Sequence, residues 1–71
     1  MKLLVNGEQR HLSEGATVAS LVAEVTEAGI EPGGRGMAVA VDAEVVPRSS
    51  WESTALQDGQ RVEILVAIQG G

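Results

Sequence analysis

The group in this chain most open to chemistry is the main-chain carboxylate of Gly71, which follows Gly70 directly after a strand-like run, Val62–Ile68. A carboxylate is a poor electrophile, because its charge is delocalised and oxide is a bad leaving group. Two glycines in front of such a group are useful because they have no Cβ and can enter a channel too narrow for any other residue. Four extended residues reach roughly 13 Å, enough to carry a carboxylate into another protein's active site. Gly71 is therefore the candidate reactive residue, and Gly70 and Gln69 present it. Ile68 and Arg48 are candidate partner contacts.

The remaining residues do not assemble a catalyst. His11 is the only histidine and there is no cysteine, so a zinc site lacks its ligands. No Ser-His-Asp set forms without His11, which the pattern places on a solvated strand face. Glu24 and Glu27 share a helix face at i, i+3, an arrangement that is ordinarily just solvated. Gly33-Gly34-Arg35-Gly36 lacks the Lys-Ser/Thr pair of a phosphate-binding loop and opens no evident helix, so it reads as a flexible connection. The chain is expected not to be an enzyme, and to bind no metal or cofactor of its own.

Composition narrows the setting. Seventy-one residues make one small domain, 1–71, near the lower limit for a self-sufficient core, and no disulfide can brace it. Apolar residues make up 44%, almost all aliphatic, with Trp51 the only aromatic. Such a composition suits a compact sheet under one helix. The formal charge of −5 argues against nucleic acid and anionic membranes and favours a partner with a basic docking face. Met1–Val5 is too short an apolar run for a signal peptide, and no stretch is long enough to span a bilayer, so the cytoplasm is the expected compartment.

The elements that must position the tail follow from the pattern. Lys2–Val5 reads as a strand, Asn6-Gly7 as a type I′ hairpin turn, and Glu8–Leu12 as the returning strand. Thr17 suits a helix N-cap, and Val18, Leu21, Val22 and Val25 fall at i, i+3, i+4 and i+7, one apolar stripe of a helix running to Ala28. Gly29 stops it, with Ile30 placed to pack back on the last turn. After a flexible 31–36 connection, Met37–Val41 is apolar on both alternating sets, as an interior strand would be, and Ala38 and Ala40 suit the close approach of another layer. Asp42-Ala43-Glu44 turns the chain, Val45-Val46 is a short strand, and Arg48–Leu56 is irregular or briefly helical with Trp51 as its anchor. Asp58-Gly59 turns again into a last strand, Arg61 to Ile68, which reads as buried.

The order is β-β-α-β-β-β, an α+β class chain. If the last strand pairs with the first, the two are parallel and interior, one helix covers a face of the mixed sheet, and the arrangement is a β-grasp, ubiquitin-like fold. The C-terminus then projects as a flexible Gly-Gly tail from an interior strand.

These residues also resemble the ThiS family of sulfur carriers. The resemblance runs along the whole chain: Asn6-Gly7-Glu8, Thr17 ahead of a Leu-bearing helix, Ala38-Val39-Ala40-Val41, Val46-Pro47-Arg48, Trp51, Asp58-Gly59, Val62-Glu63-Ile64 and Gln69-Gly70-Gly71. Two turns depart from the family's habit, Asp42-Ala43 where Asn-Gly is common and Gly59-Gln60 where Gly-Asp is common. The resemblance implies a role in thiamine (thiazole) biosynthesis. An E1-like, ThiF-like enzyme would adenylate Gly71 with ATP and magnesium, a sulfur donor enzyme would convert it to a thiocarboxylate, and a ThiG-like thiazole synthase would take the sulfur. A MoaD-like carrier for molybdopterin, or for another sulfur-transfer pathway, shares the fold and tail. A ubiquitin-like protein modifier would share the activation step, and a β-grasp interaction module would leave the tail inert.

Overall fold

The computed structural model describes residues 1–26 and 36–66. Strands β1 (Lys2–Val5) and β2 (Glu8–His11) form the first hairpin, and helix α1 (Val18–Thr26) follows. Strands β3 (Met37–Val41) and β4 (Glu44–Val46) form a second hairpin, a 3-10 helix covers Arg48–Ser53, and β5 (Arg61–Val66) completes the sheet. The strand order is β2-β1-β5-β3-β4. β5 lies between β1, to which it is parallel, and β3, to which it is antiparallel. This is the expected mixed β-grasp sheet with one covering helix.

The turns explain the hairpins. Asn6 and Gly7 take φ 50° and 81°, the two positive values a type I′ turn requires. Asp42 and Ala43 do the same at φ 49° and 70°. Alanine in that region costs roughly 1–2 kcal/mol, yet the turn keeps its type. The departure from Asn-Gly therefore leaves the hairpin intact, and Glu44, expected in the turn, already belongs to β4. In the other departing turn the Gln60 side chain accepts from the Gln57 N–H at 2.7 Å.

Thr17 is the N-cap of α1: its Oγ1 accepts from the Ser20 N–H at 3.2 Å, and Ser20 Oγ accepts from the Thr17 N–H at 2.8 Å. The pair is a capping box with serine in place of the usual Glu or Gln. Val18, Leu21 and Val22 are buried on the stripe and Val25 packs against the same cluster. They meet Leu3 and Val5 of β1, Val39 and Val41 of β3, and Val62 and Ile64 of β5. Trp51 is buried and its Nε1 donates to the Val46 carbonyl at 2.9 Å, which ties the 3-10 helix to β4. Leu12, expected to end β2, instead leaves the strand and is buried, with its N–H on the Met1 carbonyl at 2.8 Å. The expected end of α1 at Ala28, the Ile30 contact, the 31–35 part of the connection, and the last residues of β5 lie outside the described residues.

One expectation needs correcting. β5 was read from its apolar run as a buried strand, but only alternate side chains go inward. Val62 and Ile64 are buried, whereas Leu65 is 67% exposed beside exposed Arg61 and Glu63. Ala38 is exposed and Ala40 half-buried on that same face, so no layer among the described residues approaches it. One α-helix can cover one face of a sheet, and α1 is the one α-helix among the described residues.

Candidate functional site

The candidate reactive residue Gly71, its presenting residues Gly70 and Gln69, and the candidate contact Ile68 lie outside the described residues. What the structure describes is the strand that leads to them. β5 is the middle strand of five, paired with β1 through Leu4 with Arg61 and Val5 with Val62. On its other side it pairs with β3 from Val62 opposite Val41 to Val66 opposite Met37. Residues 67–71 then follow, and five residues span at most about 18 Å when fully extended.

Two side chains bracket this strand. At its start Asp42 Oδ1 accepts from the Arg61 N–H at 2.9 Å, while the Asp42 N–H donates to the Arg61 carbonyl at 2.7 Å. Further along, the Asn6 amide contacts both main-chain groups of Ile64, accepting from its N–H at 2.8 Å and donating to its carbonyl at 3.2 Å. Both come from positive-φ positions of the flanking turns. In the sequence Asn6 and Asp42 read only as turn formers. Their bonds to β5 span 58 and 19 residues, and no local pattern carries them.

Arg48 is exposed at the start of the 3-10 helix. β4 and β5 are each antiparallel to β3, so their C-terminal ends point the same way. Pro47 continues beyond β4 in extended conformation, with φ −60° and ψ 146°. Arg48 therefore sits at the end of the sheet toward which β5 runs, the end where a tail partner would stand.

The sheet face away from α1 adds residues that the sequence reading missed. Leu65 pairs across to Ala38, and Ala40 pairs across to Val45, which is 74% exposed. Leu4 is exposed on β1, and a shallow depression on this face is lined by Leu4, Asn6, Gly7, Arg61, Glu63 and Leu65. Large apolar side chains grouped on one open face mark a surface suited to a protein partner more than to solvent. Strict alternation from buried Val62 and Ile64 would have placed Leu65 outside. Glu63 on the same set carries that signal, against apolar residues at all the other positions from Val62 to Ile68.

Among the described residues no group of three or more His, Cys, Asp or Glu could hold a metal ion, and no helix is long and apolar enough to cross a membrane. His11 and Glu24 line one open surface depression with Ser13, Glu14 and Ser20, and Arg48 is not among its lining residues.

Comparison with known proteins places the geometry in a family. Residues 3–71 match the ThiS family. A thiazole synthase from Paramagnetospirillum magneticum is 41% identical over 71 residues, which is all of this chain and 20% of that protein, so the chain spans one fifth of that relative's length. The sulfur carrier protein ThiS of Escherichia coli is 28% identical over 71 residues, the full length of both. Among solved structures, the crystal structure of the thiamine biosynthesis protein ThiS from Geobacter metallireducens superposes with TM-score 0.78 at 27% identity, covering 100% of each chain. The solution structure of a thiamine biosynthesis protein from the same organism gives 0.77 at 27% identity, covering 100% of this chain and 88% of the other.

Proposed function

The chain belongs to the ThiS family, and from that membership we propose that it is a sulfur carrier of thiamine biosynthesis whose reactive group is the Gly71 carboxylate. The observation that carries this is a family match extending through Gly71, joined to a fold in which the central strand leads to that residue. The protein acts as a co-substrate, with catalysis and cofactors supplied by its partners. The thiazole synthase relative, with a whole-length match to this chain inside it, supports a thiazole synthase as the acceptor.

The sequence of steps follows from carboxylate chemistry. An E1-like enzyme binds ATP and magnesium, and a Gly71 carboxylate oxygen attacks the α-phosphorus, releasing pyrophosphate and leaving an acyl-adenylate. The terminal sulfur of a donor's persulfide attacks the acyl carbon and AMP departs. A thiol then cleaves the resulting acyl disulfide at its S–S bond, leaving the thiocarboxylate on Gly71. That sulfur is a nucleophile at neutral pH and passes to the thiazole synthase. The carrier supplies a rigid body for docking and a thin segment for delivery, and it works in the cytoplasm where ATP and these enzymes meet. Arg48, at the tail end of the sheet, and Ile68 are the contacts we assign to the activating partner.

The test is mass spectrometry after incubation with an E1-like adenylating enzyme, ATP, magnesium and a persulfide source. The expected product gains the mass of one sulfur less one oxygen, and fragmentation places the change on Gly71. An unchanged terminus beside a modified control carrier would overturn the reading. Isopeptide conjugates to lysines in place of the thiocarboxylate would identify a protein modifier.

Gly70→Val tests the narrow channel. The expected result is an almost unchanged melting temperature, since substitutions away from packed features move stability by no more than about 0.5 kcal/mol. Adenylation should fall by about a hundredfold or more, the scale of loss that a 1 Å misplacement causes. Normal adenylation of this variant would remove the steric argument for the glycine pair.

A further inference from the structure

We infer that Asn6 is a positioning residue for the tail: its side-chain amide replaces two rungs of the β1–β5 ladder and pins the central strand at Ile64. The inference rests on the carrier reading above. The parallel ladder is built from Leu4 N–H to the Gln60 carbonyl at 3.0 Å and Asn6 N–H to the Val62 carbonyl at 2.9 Å. Its next rungs would use the Asn6 carbonyl for the Ile64 N–H and the residue-8 N–H for the Ile64 carbonyl. Both are lost, because the chain turns away at Asn6-Gly7 and Glu8 begins β2. The Asn6 carboxamide fills both places, with Oδ1 on the Ile64 N–H at 2.8 Å and Nδ2 on the Ile64 carbonyl at 3.2 Å. A carboxamide presents an acceptor and a donor side by side, and the two main-chain partners fix which end is which. Asparagine also tolerates the positive φ of this turn position better than most residues.

The location is what makes the contact functional. Beyond Ile64, the described pairings of β5 are with β3 alone, Leu65 with Ala38 and Val66 with Met37. The Asn6 bonds are thus the final hold from the β1 side before residues 67–71. Without the Asn6 bonds β5 beyond Val62 is held on the β3 side alone, and Ile64 gains backbone freedom that must be lost again when the carboxylate enters a partner's site. Ordering one backbone residue costs on the order of a tenfold factor. That cost falls after the folded body has docked, so it appears in kcat, not KM.

The experiment compares the whole protein with Asn6→Gly, which keeps the positive φ without strain and removes both bonds, and with Asn6→Asp, which keeps the acceptor and removes the donor. Adenylation by the E1-like enzyme is followed by ATP–pyrophosphate exchange, and amide hydrogen exchange is read at Ile64. Expected are folded variants, loss of Ile64 protection, a roughly tenfold fall in kcat and a KM within about twofold of the parent. In the aspartate variant the protonated carboxyl regains a donor for the Ile64 carbonyl. The Ile64 protection factor should therefore recover as pH falls into the ordinary carboxylate range, ~3.9. An unchanged kcat with Ile64 protection lost would overturn the inference, and so would a rise in KM with kcat intact, which assigns Asn6 to docking. If the glycine variant fails to fold, the aspartate variant decides on the same criteria. Should the parent protein itself not be adenylated, the carrier reading falls and takes this one with it; a parent that is adenylated alongside equally active variants overturns this inference alone.

Discussion

Deletion of Gly71 will abolish thiocarboxylate formation while leaving the fold untouched. The truncated chain ends in Gly70 with the same functional group, so intrinsic reactivity is preserved and only reach is changed. The carboxylate is withdrawn by up to about 3.6 Å, one extended residue. Reactions that depend on positioning lose about a hundredfold for 1 Å, so a whole residue is expected to take the rate below detection. The body of the protein cannot compensate by moving closer, because β5 is held from the β1 side as far as Ile64 and by β3 as far as Val66. Thermal melting of the parent and truncated proteins should coincide, and intact-mass measurement after the activation reaction should find no sulfur on the truncated one. Thiocarboxylate formed at the parental rate on Gly70 would mean that tail length does not govern activation.

Leu21→Ala will produce the largest loss of stability of the substitutions considered. Leu21 is 0% exposed, at the centre of the α1 stripe, in a core with no disulfide or large aromatic cluster to fall back on. Removing three carbons from such a site costs about 2–5 kcal/mol, the lost transfer energy plus the cavity left behind. For a domain of this size each kcal/mol lowers the melting temperature by about 4–8 °C. A fall of at least about 8 °C is therefore expected, with denaturant midpoint reduced and slope unchanged. Leu21→Met, which conserves volume, should cost less than about 1.5 kcal/mol. Equal effects of the two substitutions would mean that packing at this position is not what the helix contributes.

Much of this molecule was legible locally. The Asn6-Gly7 turn, the Thr17 cap and the Val18, Leu21, Val22, Val25 stripe depend on backbone sterics and on a 3.6-residue period, and they stand where the pattern put them. The first and last strands were expected to be parallel if they paired at all, and they do pair in parallel. The proposed reactive terminus rests on the sequence alone, a glycine pair beside a main-chain carboxylate, and lies outside the described residues.

Three things were settled only by tertiary structure. Met37–Val41 is apolar on both alternating sets, so alternation could not say which of its faces is covered, and in β5 only Glu63 marked the outer set; the one α-helix among the described residues decided it, leaving Leu65, Ala38 and Val45 open. Asp42-Ala43 makes a type I′ turn without glycine, at a steric cost that the pairing of β3 and β4 on either side offsets. Asn6 looked like a turn residue and is also a strand rung, since its partner Ile64 is 58 residues away and reaches it only when the sheet closes. A hydrogen bond needs both groups within about 3 Å. Sequence can state which groups are able to bond, but only the closed chain brings an asparagine amide and a distant main chain to that distance.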